Sequence, residues 1–167
     1  MVDRVELLNW DEWIPRERAT LLFVIRSGRI LLIHKKRGFG QGKINGPGGK
    51  IEVGESPLEC ALRETEEELC ISPVGVRHAG QLHFQFLDGH SIFGEVFTAE
   101  GFEGTPTETE EAVPVWFPLG ALPFDRMWED DRTWFPHMLA GRFFQGYYLF
   151  REDRMLDYLI RLRPAPI

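Results

Sequence analysis

The sequence predicts an α/β fold, a mixed β-sheet packed between helices in an α/β/α sandwich. Three observations carry that expectation. Short apolar runs bounded by turn signals recur along most of the chain, as strands do. Near the middle, one stretch changes to helical periodicity behind a marked N-terminus, and a shorter one follows near residue 132. The 167 residues suffice for one domain with a real core.

Residues 1–18 are polar and read as an N-terminal extension, with Trp10 and Trp13 available to pack onto a main domain of residues 19–167. Thr20 to Arg26 and Arg29 to His34 read as two strands joined by a Ser27-Gly28 turn. Between Lys35 and Gly49 there are six glycines in fifteen residues. Ile51 follows Gly49-Lys50, so the Ser or Thr of a Walker motif is missing, and the glycine spacing also fails the dinucleotide fingerprint. We read a substrate-facing loop that leads into a short strand, Lys50 to Glu52. Gly48, Gly49 and Lys50 at its end are candidate substrate contacts.

Ser56, Pro57 and Glu59 form a helix start, with a capping box between Ser56 and Glu59. Leu58, Ala61, Leu62, Thr65 and Leu69 then recur as an apolar stripe. Gln81 to Phe86 alternates polar and apolar, Asp88-Gly89 turns, and Ser91 to Thr98 returns. Gly101 to Glu111 reads as an acidic loop, Ala112 to Phe117 as a strand, and Arg132 to Leu139 as a helix. Phe143 to Arg151 and Met155 to Arg161 close the chain as a hairpin turning at Glu152-Asp153.

A net charge of −7 excludes a long nucleic acid as partner, because gripping one needs a basic stripe. The most hydrophobic stretch, Leu21 to Ile33, is too short and too charged to span a bilayer, so no membrane is expected either. Cys60 and Cys70 sit ten residues apart on one predicted helix, roughly 15 Å, too far to bridge. With free thiols and no apolar run in residues 1–18, the expected compartment is the cytoplasm. Monomer or weak dimer is the expected state. The five histidines lack metal-ligand spacing and are expected to be structural.

Glu64, Glu67 and Glu68 lie three and four residues apart on one helical face. Such a face is ordinarily a solvated acidic surface, yet it also suits a hard divalent cation such as Mg2+. The spacing decides between these. Gly49 is followed after five residues by Glu55, after seven more by Arg63-Glu64, then by Glu67-Glu68. This pattern resembles the Nudix box in every charged position. Thr65 stands where an aliphatic is usual and Cys70 where Gly is usual; Cys70 implies a helix end that does not need a left-handed glycine.

The likeness extends over roughly Thr20 to Leu162. Lys35-Lys36-Arg37-Gly38-Phe39-Gly40, Asn45-Gly46, Trp116-Phe117, Met127-Trp128, Asp130-Asp131 and Trp134-Phe135-Pro136 resemble the mammalian-type oxidised purine nucleoside triphosphatases within the Nudix superfamily. The resemblance implies hydrolysis of 8-oxo-dGTP and 2-hydroxy-dATP to monophosphate and pyrophosphate, with Mg2+ as cofactor and Mn2+ as the alternative ion. It implies Glu64, Glu67, Glu68, Glu111 and the Gly48 carbonyl as metal ligands. Arg63 is read as orienting the glutamates. Glu68 is our choice of general base, with Glu67 and Glu111 as alternatives. Lys35 is a candidate phosphate contact, its bland alternative being a solvated lysine.

The resemblance further implies a purine pocket walled by Phe39, Phe84 and Trp128, floored by Thr20 and Leu21, with Asn45, Asp130 and Asp131 hydrogen-bonding the base. Without it, Phe84 would be a core residue and Asp130-Asp131 an acidic pair at a helix start. Ile44 departs from the pattern, standing where those enzymes have Trp. Two rival readings remain: a Nudix enzyme for normal or methylated nucleotides or a nucleotide sugar, and a nucleotide-binding module without turnover. All four box glutamates, Glu55, Glu64, Glu67 and Glu68, weigh against the second.

Overall fold

Strands buried on both faces need cover on both faces, and the alternation in the first two strands supplies the pattern for it. The computed structural model describes residues 3–164; residues 1–2 and 165–167, at the outer ends of the predicted extension and main domain, lie outside the described residues. Strand β1 (Glu17–Arg26) turns through Ser27 and Gly28, both at positive φ, into β2 (Arg29–Lys35), with Ile25 opposite Ile30. Leu22, Val24, Leu31 and Ile33 pack on one side with Ala61, Leu69 and Phe97. Phe23, Ile30 and Leu32 pack on the other with Trp134, Phe135 and Phe144. Helix α1 (Pro57–Leu69) covers the first side and α2 (Asp131–Leu139) the second.

The remaining strands are β3 (Ile44–Asn45), β4 (Gly48–Lys50), β5 (Ile71–Phe86), β6 (Ser91–Gly104), β7 (Ala112–Pro118), β8 (Phe143–Arg151) and β9 (Arg154–Arg163). They join in the order β3-β2-β1-β6-β5-β8-β9, with β4 also on β1 and β7 also on β2. The β1–β6 and β5–β8 pairs are parallel and the others antiparallel, so the sheet is mixed as expected.

Several boundaries differ from expectation. The short strand read at Lys50 to Glu52 is Gly48–Lys50, drawn forward by pairing with Ala19, Thr20 and Leu21. Residues 101–104, read as loop, continue β6, because β5 begins ten residues earlier than its alternation suggested and pairs with them. β3 falls inside the glycine loop and has no propensity signal of its own. β1 starts at Glu17, inside the segment read as extension. Upstream, Val5 is buried and its N–H donates to Asp157 at 2.8 Å. The Trp10 ring lies 5.1 Å from that of Tyr147, and the Trp13 indole donates to Gln85 at 2.8 Å.

Helix α1 starts as its sequence dictates. The Ser56 hydroxyl accepts from the Glu59 N–H, and the Glu59 carboxylate accepts from the Ser56 N–H, both at 3.1 Å. Its packed face differs from the predicted stripe. Leu58 is 44% exposed, while Cys60 is fully buried against β4, its thiol donating toward the Gly49 and Lys50 carbonyls. Thr65, at the position usually aliphatic, is buried and donates its hydroxyl to the Ala61 carbonyl at 2.7 Å. The C-terminus also corrects the sequence reading. Cys70 itself adopts the left-handed conformation, with φ 62° and ψ 32°, so the chain can turn at once into β5. Both cysteines are free, and no helix among the described residues is long and apolar enough to cross a membrane.

A β-carbon in the left-handed region costs about 1–2 kcal/mol, partly offset by the larger unfolded-state entropy of glycine. Because Cys70 is exposed, little packing is lost with its side chain. Cys70→Gly is therefore expected to stabilise the fold by roughly 0.5–1 kcal/mol, read as a rise of a few degrees in Tm.

Candidate active site

The site begins where β4 runs close beneath α1. A Cβ at Gly48 would lie 1.9 Å from the Thr20 carbonyl oxygen, and one at Gly49 would lie 2.4 Å from Cδ of Glu64. Only glycine lets β4 pair with β1 while leaving room for the Glu64 carboxylate. The Gly48 N–H donates to Glu68 at 3.3 Å. Glu64 and Glu68, one helical turn apart, meet Glu111 from the strand-leading loop, and carboxylate oxygens of the three lie within 4.8 Å of one another.

Glu67 is not in that cluster. It is exposed, and its carboxylate lies 3.3 Å from Arg63, one turn back along α1. Arg63 forks around Glu55, donating from Nε at 2.7 Å and from Nη2 at 3.0 Å, and reaches Glu64 from Nη1 at 2.8 Å. Its hydrogen bond to Glu55 holds that carboxyl near 2, well below the usual range. Glu68 is 4% exposed, and burial pushes its carboxyl up to about 8 against the Gly48 hydrogen bond. Glu64 is raised by burial too, the Arg63 hydrogen bond opposing it.

Glu68 also forms part of the wall of a cavity that continues inward from the cluster. Lys35, Gly48, Gly49, Thr20 and Leu21 line it. Phe39, Phe84 and Trp128 also line it, with Asn45, Asp130 and Asp131. Phe39 is 53% exposed and stacks on Trp128 with centroids 5.1 Å apart. Asn45 donates to the Lys43 carbonyl at 3.3 Å. The Thr20 hydroxyl lies 3.3 Å from the Cys60 thiol, toward α1, while Leu21 packs with the aromatic cluster. Lys50 stands apart: its ammonium pairs with Glu17 at 2.9 Å, and it does not line the cavity. Ile44 is fully buried behind the wall.

Two walls were not visible in the sequence. Phe86 sits at the end of an alternation that favours neither face for function, and Phe150 reaches the cavity only through the β5–β8 pairing. Lys43 places its ammonium 5.0 Å from the Trp128 ring centroid, a cation–π contact with no linear signature.

Asp130 and Asp131 are 3% and 8% exposed. The Trp134 indole donates to Asp130 at 2.8 Å, and the two carboxyls hydrogen-bond each other. Burial raises both, and the Asp130 charge raises Asp131 further. Two adjacent buried carboxyls cannot both ionise cheaply, so the pair favours keeping one proton between them. A carboxyl raised above its unfolded value favours folding when protonated, so stability is lost as pH climbs past about 4 toward its folded pKa.

The glutamate cluster, the glycine strand beneath it and the adjoining aromatic cavity define a Nudix site. Residues 15–138 match the NUDIX domain family, and the chain belongs to that family of hydrolases. It is 41% identical over 133 residues to the oxidized purine nucleoside triphosphate hydrolase of Danio rerio, covering 79% of this chain and 85% of that one. It is 40% identical to the protein of the same description in Mus musculus, covering 85% and 92%. Among solved structures, the MutT protein from Bacillus halodurans superposes with a TM-score of 0.77 at 29% identity, over 90% of this chain and 99% of that one.

Asparagine reproduces the hydrogen-bond donor of a protonated carboxyl without needing a proton. Asp131→Asn is expected to be more stable than wild type at pH 7, the gain shrinking as pH falls toward 4. Thermal melts at the two pH values check this.

Proposed function

We propose that this Nudix hydrolase cleaves oxidised purine nucleoside triphosphates, 8-oxo-dGTP and 2-hydroxy-dATP, to the monophosphate and pyrophosphate. On this reading it acts in the cytoplasm and keeps damaged nucleotides out of DNA synthesis. One observation carries the proposal: a three-carboxylate cluster adjoins, through Glu68, an aromatic cavity that also holds the buried Asp130–Asp131 pair. The two animal relatives described as oxidized purine nucleoside triphosphate hydrolases support the same substrate class.

The donor set is all oxygen, anionic and convergent, which fits a hard divalent ion, Mg2+ or Mn2+. Glu64, Glu68 and Glu111 would hold it, with Glu67 and the Gly48 carbonyl as further ligands. When bound, such an ion polarises a phosphoryl oxygen and acidifies a coordinated water. Lys35, on the cavity wall between cluster and aromatics, offers its ammonium to a phosphate. Arg63 keeps Glu64 in place from the far side. Glu68 orients the attacking water and takes its proton, with Glu67 and Glu111 as the alternative bases. Phe39, Phe84 and Trp128 stack against the purine. One carboxyl of the Asp130–Asp131 pair, protonated, donates to the base edge and the other accepts from it, so movement of one proton adapts the pair to either oxidised base.

The deciding experiment is chromatography of products from a panel of oxidised and normal nucleotides in Mg2+. Faster turnover of the oxidised purines with pyrophosphate release is expected; stepwise orthophosphate release, or equal turnover of normal dNTPs, overturns the proposal. Glu68→Gln is expected to lower kcat by roughly 10²–10⁴-fold while the protein stays folded by circular dichroism. Asp130→Asn should lose on the order of 2–4 kcal/mol of transition-state stabilisation for 8-oxo-dGTP, seen in kcat/KM, with metal affinity unchanged.

A further inference from the structure

Glu68 and Glu111 reach the carboxylate cluster from segments 43 positions apart in the sequence, and no hydrogen bond between their side chains fixes the distance. Their backbones, however, share one partner. The Thr109 hydroxyl donates to the Glu68 carbonyl at 2.8 Å, and its oxygen accepts from the Glu111 N–H at 3.3 Å. A hydroxyl has one proton to give and lone pairs to receive, so both bonds form at once. The acceptor is one of the carbonyls that the end of α1 leaves without an intrahelical partner. Thr109 is itself held: its N–H donates to the Ala112 carbonyl at 3.0 Å, and the Lys36 ammonium donates to its carbonyl at 3.0 Å. The neighbouring Thr107 N–H caps Leu69 at 2.9 Å.

We propose that Thr109 is a positioning residue for the divalent-cation site, a hydroxyl bridge that sets the separation of Glu68 from Glu111 before any cation arrives. The inference rests on the reading of Glu64, Glu68 and Glu111 as cation ligands. The bridge spans the two backbones that bear two of the three carboxylates. The ion pairs on the same loop, Lys36 with Glu108 and Arg37 with Glu111, are solvent-exposed and confer little rigidity. Valine has the shape of threonine without the hydroxyl, whereas serine keeps the hydroxyl.

The test is Mn2+ binding to the full chain, followed by electron paramagnetic resonance, for wild type, Thr109→Val, Thr109→Ser and Glu111→Gln. Wild type and Thr109→Ser are expected to bind alike, and Thr109→Val about 10-fold or more weaker, the usual effect of losing a group that orients a metal ligand. In turnover, Thr109→Val should need correspondingly more Mg2+ for half-maximal rate and approach wild-type kcat at saturating Mg2+. A purely structural role would instead lower the melting temperature in EDTA and leave Mn2+ affinity unchanged, which overturns the proposal. Equal loss in Thr109→Ser and Thr109→Val also overturns it, since the hydroxyl would then be irrelevant. If wild type and Glu111→Gln bind Mn2+ equally, the cluster itself is misassigned, and the cation reading falls together with this one.

Discussion

Glu64, Glu68 and Glu111 bring carboxylate oxygens within 4.8 Å of one another, and at that spacing each ionised pair repels by about 3–4 kcal/mol at an effective dielectric near 20. Much of the surrounding structure offsets that repulsion. Arg63 compensates Glu64 while anchored on Glu55, and the Gly48 N–H supports Glu68, whose carboxyl burial shifts toward the neutral form. The capping box and proline at the start of α1 fix the helix that carries two of the acids. Gly49 clears the space the Glu64 carboxylate occupies, and Gly48 lets β4 lie against the Thr20 carbonyl.

A second accumulation of like charge lies at the other end of the cavity and is relieved differently. Asp130 and Asp131 are almost wholly buried, and a shared proton together with the Trp134 indole relieves them. The glutamate cluster, which adjoins the cavity through Glu68, can relieve its repulsion by taking a cation; the aspartate pair can only move its proton or meet a ligand's hydrogen-bonding edge. A molecule that is anionic at one end and carries a planar base at the other matches both.

How much was legible follows from how local each cause is. The start of α1, the β1–β2 turn, the hairpin at residues 152–153 and the box spacing were readable because neighbouring residues determine them. The separation of Glu67 from the cluster was not, since helical spacing places it with Glu64 and Glu68 and only the Arg63 fork shows where its carboxylate goes. Lys50 points to Glu17 for a similar reason: its neighbour is chosen by β1–β4 register, not by the glycine loop before it. Cys70 was misread because the absence of glycine argued against a left-handed end, whereas the immediate turn into β5 imposes one. Phe86 and Phe150 became pocket walls only through strand pairing.

Register ties the two ends of the site together. Along β1, Leu21 and Phe23 face the aromatic cavity, while Leu22 and Val24 face α1. A one-residue slip would exchange those sets, turning the cavity wall toward the helix and the helix contacts toward the base. The pairing of Thr20 with Gly49 and Leu21 with Gly48 opposes such a slip, because the shift would put Lys50 or Pro47 where only glycine fits beneath Glu64 and against the Thr20 carbonyl. The two glycines that admit the Glu64 carboxylate and the Thr20 carbonyl therefore hold the base cavity in register, so the anionic end and the aromatic end of the site are fixed by one strand pair.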